Sequence, residues 1–221
     1  MKKPFDLLLT GGRVIDPAQG IDGIRDVAFA EGKVAAVGGE LKSEDAQTVA
    51  DMSGFLVVPG LIDLHTHVYS GATALSVEAD PVCLNTGTCT FVDAGSAGPG
   101  NFAGMKRFII EESQARVLAF LNISYAGIFG VGPGMLIGEN QDLRMLNAGA
   151  AVAVAEQNPD VIVGIKVRSS LSAGDPSVQP VYMARTVADR IGKPMMVHMG
   201  LPPPLVEEIL PLMRPGDILT H

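Results

Sequence analysis

Val58-Pro59-Gly60-Leu61-Ile62-Asp63-Leu64-His65-Thr66-His67 is the stretch on which the fold turns. An apolar run leaves a Pro-Gly turn and ends in two histidines spaced i, i+2. Side chains alternate between faces along a β-strand, so Asp63, His65 and His67 project to the same side. Two imidazoles side by side at a strand end make half of a metal site, because neutral imidazole is the usual ligand for zinc and its neighbours. A strand simply giving way to a polar loop would look the same. The rest of the histidine inventory separates the two readings. The chain holds four histidines, and the other two close the apolar runs Met195-Met196-Val197-His198 and Asp217-Ile218-Leu219-Thr220-His221. Every histidine therefore ends a predicted strand, a placement that scattered surface residues would not share.

Upstream of this stretch the pattern is all-β. Short strands are expected at 5–10, 13–15, 26–30, 34–37 and 55–58, with turns at Gly11-Gly12, Glu31-Gly32-Lys33 and Ser53-Gly54. Glu31-Gly32-Lys33 between two apolar runs is a hairpin signal. Residues 1–58 are thus read as a small, incomplete β-sandwich-like domain, too small and open to bury much by itself.

Downstream, strands and helices alternate. Strands are expected at 61–67, 89–94, 117–123, 161–167, 194–198 and 217–221. Phe102, Met105, Phe108 and Ile109 mark one helical face within 101–113. Val181, Ala184, Val187, Ala188 and Ile191 mark a second, closed by Gly192. Pro203-Pro204 is expected to open a third helix through Glu207, Ile209 and Leu212. This alternation implies an α/β fold with a parallel sheet, either a doubly wound sheet or a (β/α)8 TIM-type barrel. Functional groups at the C-terminal ends of many different strands favour the barrel. No glycine fingerprint for a dinucleotide follows any strand, which weakens the doubly wound alternative. Residues 59–221 then supply about six of eight β/α units, so the chain is expected to be the front part of a longer protein. Alone, it is expected to be inactive, with open strand edges that aggregate or recruit another chain into a homo-oligomer.

Composition narrows the function classes. With 221 residues, 47% hydrophobic and 18% charged, the chain is globular. A net charge of −8 argues against nucleic acid or an anionic membrane surface as partner. No apolar run approaches the roughly 18–20 residues that span a bilayer, and the N-terminus lacks a signal-peptide pattern. The expected location is the cytoplasm, with Cys83 and Cys89 as reduced, buried thiols.

One residue breaks the apolar pattern. Val161-Ile162-Val163-Gly164-Ile165-Lys166-Val167-Arg168 sets a lysine inside a strand. Alternation puts Ile162, Gly164, Lys166 and Arg168 on one face and Val163, Ile165 and Val167 towards the helices. A buried, unpaired ammonium costs several kcal/mol. Lys166 therefore either pairs with Asp63 or Asp93, or has its pKa lowered until its neutral amine can react. With carbon dioxide such an amine becomes a carbamate, an oxygen donor able to bridge metals.

H-x-H on the first strand, lysine on the fourth and single histidines on the fifth and sixth resemble the binuclear metal-dependent amidohydrolase superfamily. Leu8-Leu9-Thr10-Gly11-Gly12-Arg13-Val14-Ile15-Asp16-Pro17 and the opening quoted above are similar to it as well. His65-Thr66-His67-Val68-Tyr69-Ser70-Gly71, Val92-Asp93-Ala94-Gly95-Ser96, Phe120-Leu121-Asn122-Ile123-Ser124, Val163–Arg168 and Gly216–His221 resemble its dihydroorotase-like amidohydrolase/deacetylase branch. The resemblance implies a metal-dependent hydrolase with two divalent ions, zinc first among them. His65 and His67 would hold one ion and His198 and His221 the other, with N6-carboxylated Lys166 as the bridge. The family's catalytic aspartate comes from an eighth strand, and no catalytic residue is visible here. Asp63 and Asp93 would orient the histidines.

Dihydroorotases carry an arginine two residues past H-x-H, and this chain has Tyr69 there. The expected substrate is consequently a small acyl compound, cleaved at an amide or ester bond, with an acetyl group the leading case. Arg168 is a candidate for a substrate carboxylate, or else pairs with a loop acid at the barrel mouth. The glycine-rich segment 127–134 is a candidate substrate loop or a plain connector. Two alternatives stand beside this reading: a cyclic amide hydrolase of dihydroorotase or hydantoinase type, and a non-catalytic amidohydrolase-like scaffold.

Overall fold

The structure, a computed structural model, describes residues 3–132, 135–137 and 139–221. The chain divides into two compact units, Met1–Leu61 and Ile62–His221, whereas the sequence placed the boundary after Val58.

In the first unit, β1 (Phe5–Asp16), β2 (Ile21–Ala30), β3 (Lys33–Gly38), β4 (Ala46–Asp51) and β5 (Leu56–Val57) form one five-stranded sheet ordered β3-β2-β1-β4, with β5 also on β1. The runs expected as two strands around Gly11-Gly12 are a single one. Those glycines make a bulge rather than a turn: the register with β2 slips between Leu9 and Gly12. Gly11 takes φ +71, and its N–H donates to Asp26 Oδ1 at 3.1 Å. A bulge of this kind needs the left-handed conformation that glycine adopts without a steric penalty. Glu31 and Gly32, both at positive φ, form the tight hairpin turn between β2 and β3. β4, polar enough to escape the sequence reading, runs parallel to β1. The core is small: buried Leu8, Ala28 and Ala46, flanked by Phe5, Ala36 and Leu41.

The second unit carries β6 (Leu61–Thr66), β7 (Thr88–Ala94), β8 (Arg116–Asn122), β9 (Val131–Gly132), β10 (Met135–Leu136), β11 (Ile162–Ser169), β12 (Met195–Met199) and β13 (Ile218–Thr220). β9 and β10 pair only with each other. The remaining six form one sheet ordered β13-β12-β11-β8-β7-β6. Its neighbours follow chain order without reversal, so it lacks the switch point of a doubly wound sheet. The sheet is instead an arc of a (β/α)8 barrel, curled about its inner face.

The helices pack on the outer face. They are α1 (Ala79–Thr86), α2 (Phe102–Met105), α3 (Ala148–Gln157), α4 (Gln179–Ile191) and α5 (Val206–Ile209). Val181, Ala184, Val187 and Ala188 of α4 lie against Ile165, Val167, Met195 and Val197 in the main core. Burying such apolar stripes is what holds this layer together. Gly192 ends α4 in the left-handed conformation, as its position predicts. The expected helix over 101–113 is shorter: α2 widens into a π-turn at Lys106–Ile110. The prolines expected to open the third helix lie outside it, because α5 starts only at Val206. α3 is alanine-rich and lacks the one-sided stripe that makes a helix legible; Asn147 Oδ1 caps it by accepting from Ala150 N at 2.9 Å. No helix among the described residues is long and apolar enough to cross a membrane.

β11 departs from simple alternation at one point. Its register with β8 slips between Ile162 and Gly164. The slip sends Ile162 to the helix-side core and Val163 to the inner face, opposite to the expected assignment. From Gly164 onward the alternation holds, and Lys166 and Arg168 face inward.

Candidate metal centre

Parallel register builds the site. Lys166 lies opposite Asn122 on β8 and Met196 on β12. One step towards the C-terminal rim, Arg168 lies opposite His198, and His198 opposite Thr220. His65 is the penultimate residue of β6, and the curl of the sheet brings it to the far edge: His65 Nδ1 and Thr220 Oγ1 are 2.8 Å apart. The ring centroids of His65 and His67 are 5.9 Å apart, those of His65 and His221 4.8 Å, and those of His198 and His221 4.4 Å. The four histidines therefore do converge at the C-terminal ends of their strands. His221 is exposed and has a φ of +78.

Burial sets their protonation. Desolvation, then the charge of Lys166, pulls His65 and His67 down to about 4. Desolvation followed by the charges of Arg168 and Lys166 pulls His198 to about 3. These three imidazoles are neutral near pH 7 and carry a free lone pair.

The partners that orient the rings are hydroxyls rather than the expected carboxylates. His67 Nδ1 meets Ser96 Oγ at 2.8 Å, as His65 meets Thr220. With Nδ1–H donating to the hydroxyl, Nε2 is the free donor atom. Asp63 Oδ1 accepts from the backbone N–H of His65 at 3.0 Å. Asp93, fully buried, accepts from the N–H groups of Val68 and Ser96. Asp93 also holds the Ser96 hydroxyl, so it reaches the His67 ring through Ser96. The direct ring contacts fall to Ser96 and Thr220, two residues whose role had no sequence signal beyond their adjacency to the motifs.

Lys166 is 4% exposed, and its Nζ donates to Met196 Sδ at 3.4 Å, not to Asp63 or Asp93. Burial lowers its pKa to about 8, against an upward pull from Glu139. Gly95 makes room for it: a Cβ there would fall 2.6 Å from Lys166 Cγ, at a φ of +87. Arg168 does have an acid, and that acid was not foreseen. Its Nη1 approaches Glu139 Oε2 at 3.4 Å, the loop-acid pairing. Glu139 also lines a mainly apolar cavity of about 420 Å³ with Gly127, Phe129, Gly130, Ile137 and Met145. The glycine-rich segment thus borders a cavity next to the site, although Pro133 and Gly134 lie outside the described residues. Tyr69 turns away, its hydroxyl donating to the Asn101 carbonyl at 3.2 Å. Cys83 is half-buried and Cys89 exposed, so only their free state matches the expected buried thiols.

Among the described residues, no three His, Cys, Asp or Glu side chains come close enough to hold an ion as a group. The donor chemistry fits one all the same. Three neutral imidazoles, two of them with Nδ1 engaged, and a buried amine whose hydrogen bond goes to a thioether form a set that suits a cation once the amine becomes an anionic oxygen donor.

No protein-family model matches the chain. A deacetylase of Agrobacterium fabrum is 37% identical over 192 residues, which are 86% of this chain and 46% of that protein. The crystal structure of a dihydroorotase superposes with a TM-score of 0.83 at 34% identity, over 97% of this chain and 56% of that one. The crystal structure of an adenine deaminase gives 0.80 at 30% identity, over 98% and 56%. The chain spans about half the length of the curated relatives it matches.

Proposed function

Since this chain belongs to the amidohydrolase superfamily, we propose that its histidine–lysine cluster is the metal-binding half of a hydrolase that removes an acetyl or similar acyl group from a small acid. The observation that carries this reading is the convergence of four histidines around a buried, weakly partnered lysine at one end of a parallel sheet.

In this reading His65 and His67 hold one divalent ion, zinc first among candidates, and His198 and His221 the other. Such ions, when bound, polarise a carbonyl and make hydroxide available near neutral pH. The chain's own residues do the rest. Ser96 and Thr220 hold two of the rings with Nε2 presented. The unprotonated amine of Lys166 attacks carbon dioxide, an N–C bond forms, and an amine proton leaves to solvent. The resulting carbamate would replace a buried cation by an anionic oxygen donor for the ions. Arg168, at the rim, binds the substrate carboxylate through its fork of N–H donors. The apolar cavity beside Glu139 takes the body of the substrate. None of these side chains is assigned as the acid that protonates the leaving group.

The name of the deacetylase relative supports acyl transfer to water, and the engaged hydroxyl of Tyr69 weighs against a dihydroorotase-type carboxylate site at that position. The likeness to a dihydroorotase keeps ring-amide hydrolysis as the second reading. The test is metal analysis and turnover of the protein expressed from its complete reading frame, with bicarbonate supplied. N-acetyl and O-acetyl acids are set against cyclic amides. About two ions per chain and turnover of the acetyl compounds are expected. Turnover of cyclic amides alone would select the second reading, and bound metal with no turnover of either class would favour a scaffold.

A further inference from the structure

Away from the metal centre, the chain's two cysteines come together. Cys83 lies in the last turn of α1 and Cys89 is the second residue of β7. Gly87, between them, takes φ +73 and donates its N–H to Cys83 O at 3.0 Å, which folds the chain back on the helix end. Cys89 Sγ donates to Gly87 O at 3.4 Å, so its sulfur is held over that turn and within hydrogen-bonding reach of Cys83. Both thiols line an open depression of about 330 Å³ together with Asp80, Leu84, Gln114 and Ala115. Asp80 is already engaged, accepting from the N–H groups of Gln114 and Ala115. That leaves the two sulfurs as the reactive groups of this site.

We propose that Cys83 and Cys89 form a reversible intramolecular disulfide, made by exchange with a small disulfide such as oxidised glutathione. The exposed Cys89 thiolate attacks one sulfur of the small disulfide, whose S–S bond breaks and releases one thiol. The Cys83 thiolate then attacks the Cys89 sulfur, the mixed disulfide breaks, and the second thiol leaves. Two protein thiols are oxidised, one small disulfide is reduced to two thiols, and the protein's two thiol protons pass to them. Cys89 is the attacking residue because it is the accessible sulfur, while burial and the neighbouring groups push the Cys83 thiol up. The clamp ties α1 to the start of β7. The metal cluster lies at the opposite ends of the strands, so closing it leaves that site untouched.

The test equilibrates the whole protein, with chelator present, against graded ratios of oxidised to reduced glutathione. Free thiols and intact mass are followed. Both thiols should be lost in one transition, with a monomeric product lighter by two hydrogens and free of glutathione. Cys83→Ser should instead stop at a stable glutathione adduct on Cys89, because the resolving thiol is gone. Cys89, being exposed, can also be replaced without disturbing the core, and Cys89→Ser should leave Cys83 largely unreacted. The proposal is overturned if the wild-type protein accumulates glutathione adducts or inter-chain dimers. It is equally overturned if wild-type protein stays reduced at ratios that modify Cys83→Ser.

Discussion

Two rows of side chains cross the inner face of the curled sheet next to each other, and they treat a positive charge in opposite ways. The deeper row, Asn122, Lys166, Met196 and Ile218 in register, sets its cation against a thioether. The row nearer the rim, Arg168, His198 and Thr220, sets its cation against a carboxylate, Glu139. A buried cation with a carboxylate keeps its proton and can serve as a fixed anchor. One set against a thioether is pushed by burial towards the neutral form, although the more distant Glu139 and Asp93 pull it back, and a neutral amine is a nucleophile. Two residues apart on one strand, the proposed anchor and the proposed bridging ligand meet different surroundings. The difference lies first in the residue, since a guanidinium stays charged where a buried ammonium gives up its proton readily, and then in the partner.

The largest expected effect separates the two rows. Lys166→Ala removes the proposed bridge and should reduce both bound metal and hydrolysis to background in the complete protein. Arg168→Ala should keep its metals and raise KM for a carboxylate-bearing substrate, with kcat less affected. Metal analysis alongside steady-state kinetics reads both. Lys166→Ala with full metal content and activity would break the distinction.

A second expectation concerns stability without metal. Lowering the lysine from its ordinary 10.5 to about 8 means the fold works against the charged form, at about 3 kcal/mol for such a shift. Lys166→Met should therefore make the chelated protein more stable near neutral pH by an amount of that order. The sign with pH follows from linkage. Below about 8 the lysine is protonated in both folded and unfolded chains, and the whole cost is present. As pH rises from about 8 towards 10.5 the folded chain sheds its proton first, and the cost fades. The gap between wild type and variant, read from urea unfolding, should close over that window. A gap independent of pH would mean that packing against Met196, rather than charge, sets the difference.

Much of this arrangement was legible in the sequence, and the reasons it stopped are physical. Period-two alternation and the apolar runs located the six strands, because burial on both faces leaves a strong mark. The same periodicity put Lys166 and Arg168 on the inner face. It misassigned Ile162 and Val163, since a register slip depends on the neighbouring strand and leaves no trace in the strand's own composition. Gly11-Gly12 looked like a turn for the same reason: a bulge and a turn both need a positive φ, and only pairing with β2 tells them apart. Asp63 and Asp93 were expected to orient the histidines; Asp63 instead accepts from a backbone N–H, and Asp93 acts on His67 only through the Ser96 hydroxyl, a relay that no pattern within one strand reveals. Glu139 lies 29 residues before Arg168 in a loop, and no local pattern could have linked them.

The hydroxyl partners test how far the histidines depend on their orientation. Ser96→Ala and Thr220→Val each remove one ring contact without touching a proposed ligand. Loss of such a supporting contact weakens metal affinity by about 10–100-fold. Competition with a chromophoric chelator should show a loss of that size in each variant. An unchanged affinity would mean that packing alone holds the rings.

Glu139→Gln should have the smallest effect, and it addresses both rows at once. The contact with Arg168 is long at 3.4 Å, and the arginine side chain is 20% exposed. The Glu139 side chain itself is only 3% exposed, so the substitution withdraws a buried charge while the contact's shape is kept. Glutamine keeps the shape and an acceptor oxygen but withdraws the charge. At the rim, a substrate carboxylate then meets Arg168 without a competing anion beside it, so KM should fall slightly while kcat stays. In the deeper row, Glu139 is the larger of two charges, with Asp93, that pull the Lys166 pKa upward against burial. Removing it should lower that pKa further and increase the fraction of neutral amine, so that less bicarbonate is needed to reach full activity after chelation and reloading. The two readouts move together only if Glu139 acts through its charge on both cations. A lower KM with an unchanged bicarbonate requirement would confine its influence to Arg168, and a higher KM would mean that the carboxylate positions the arginine for substrate rather than competing with it.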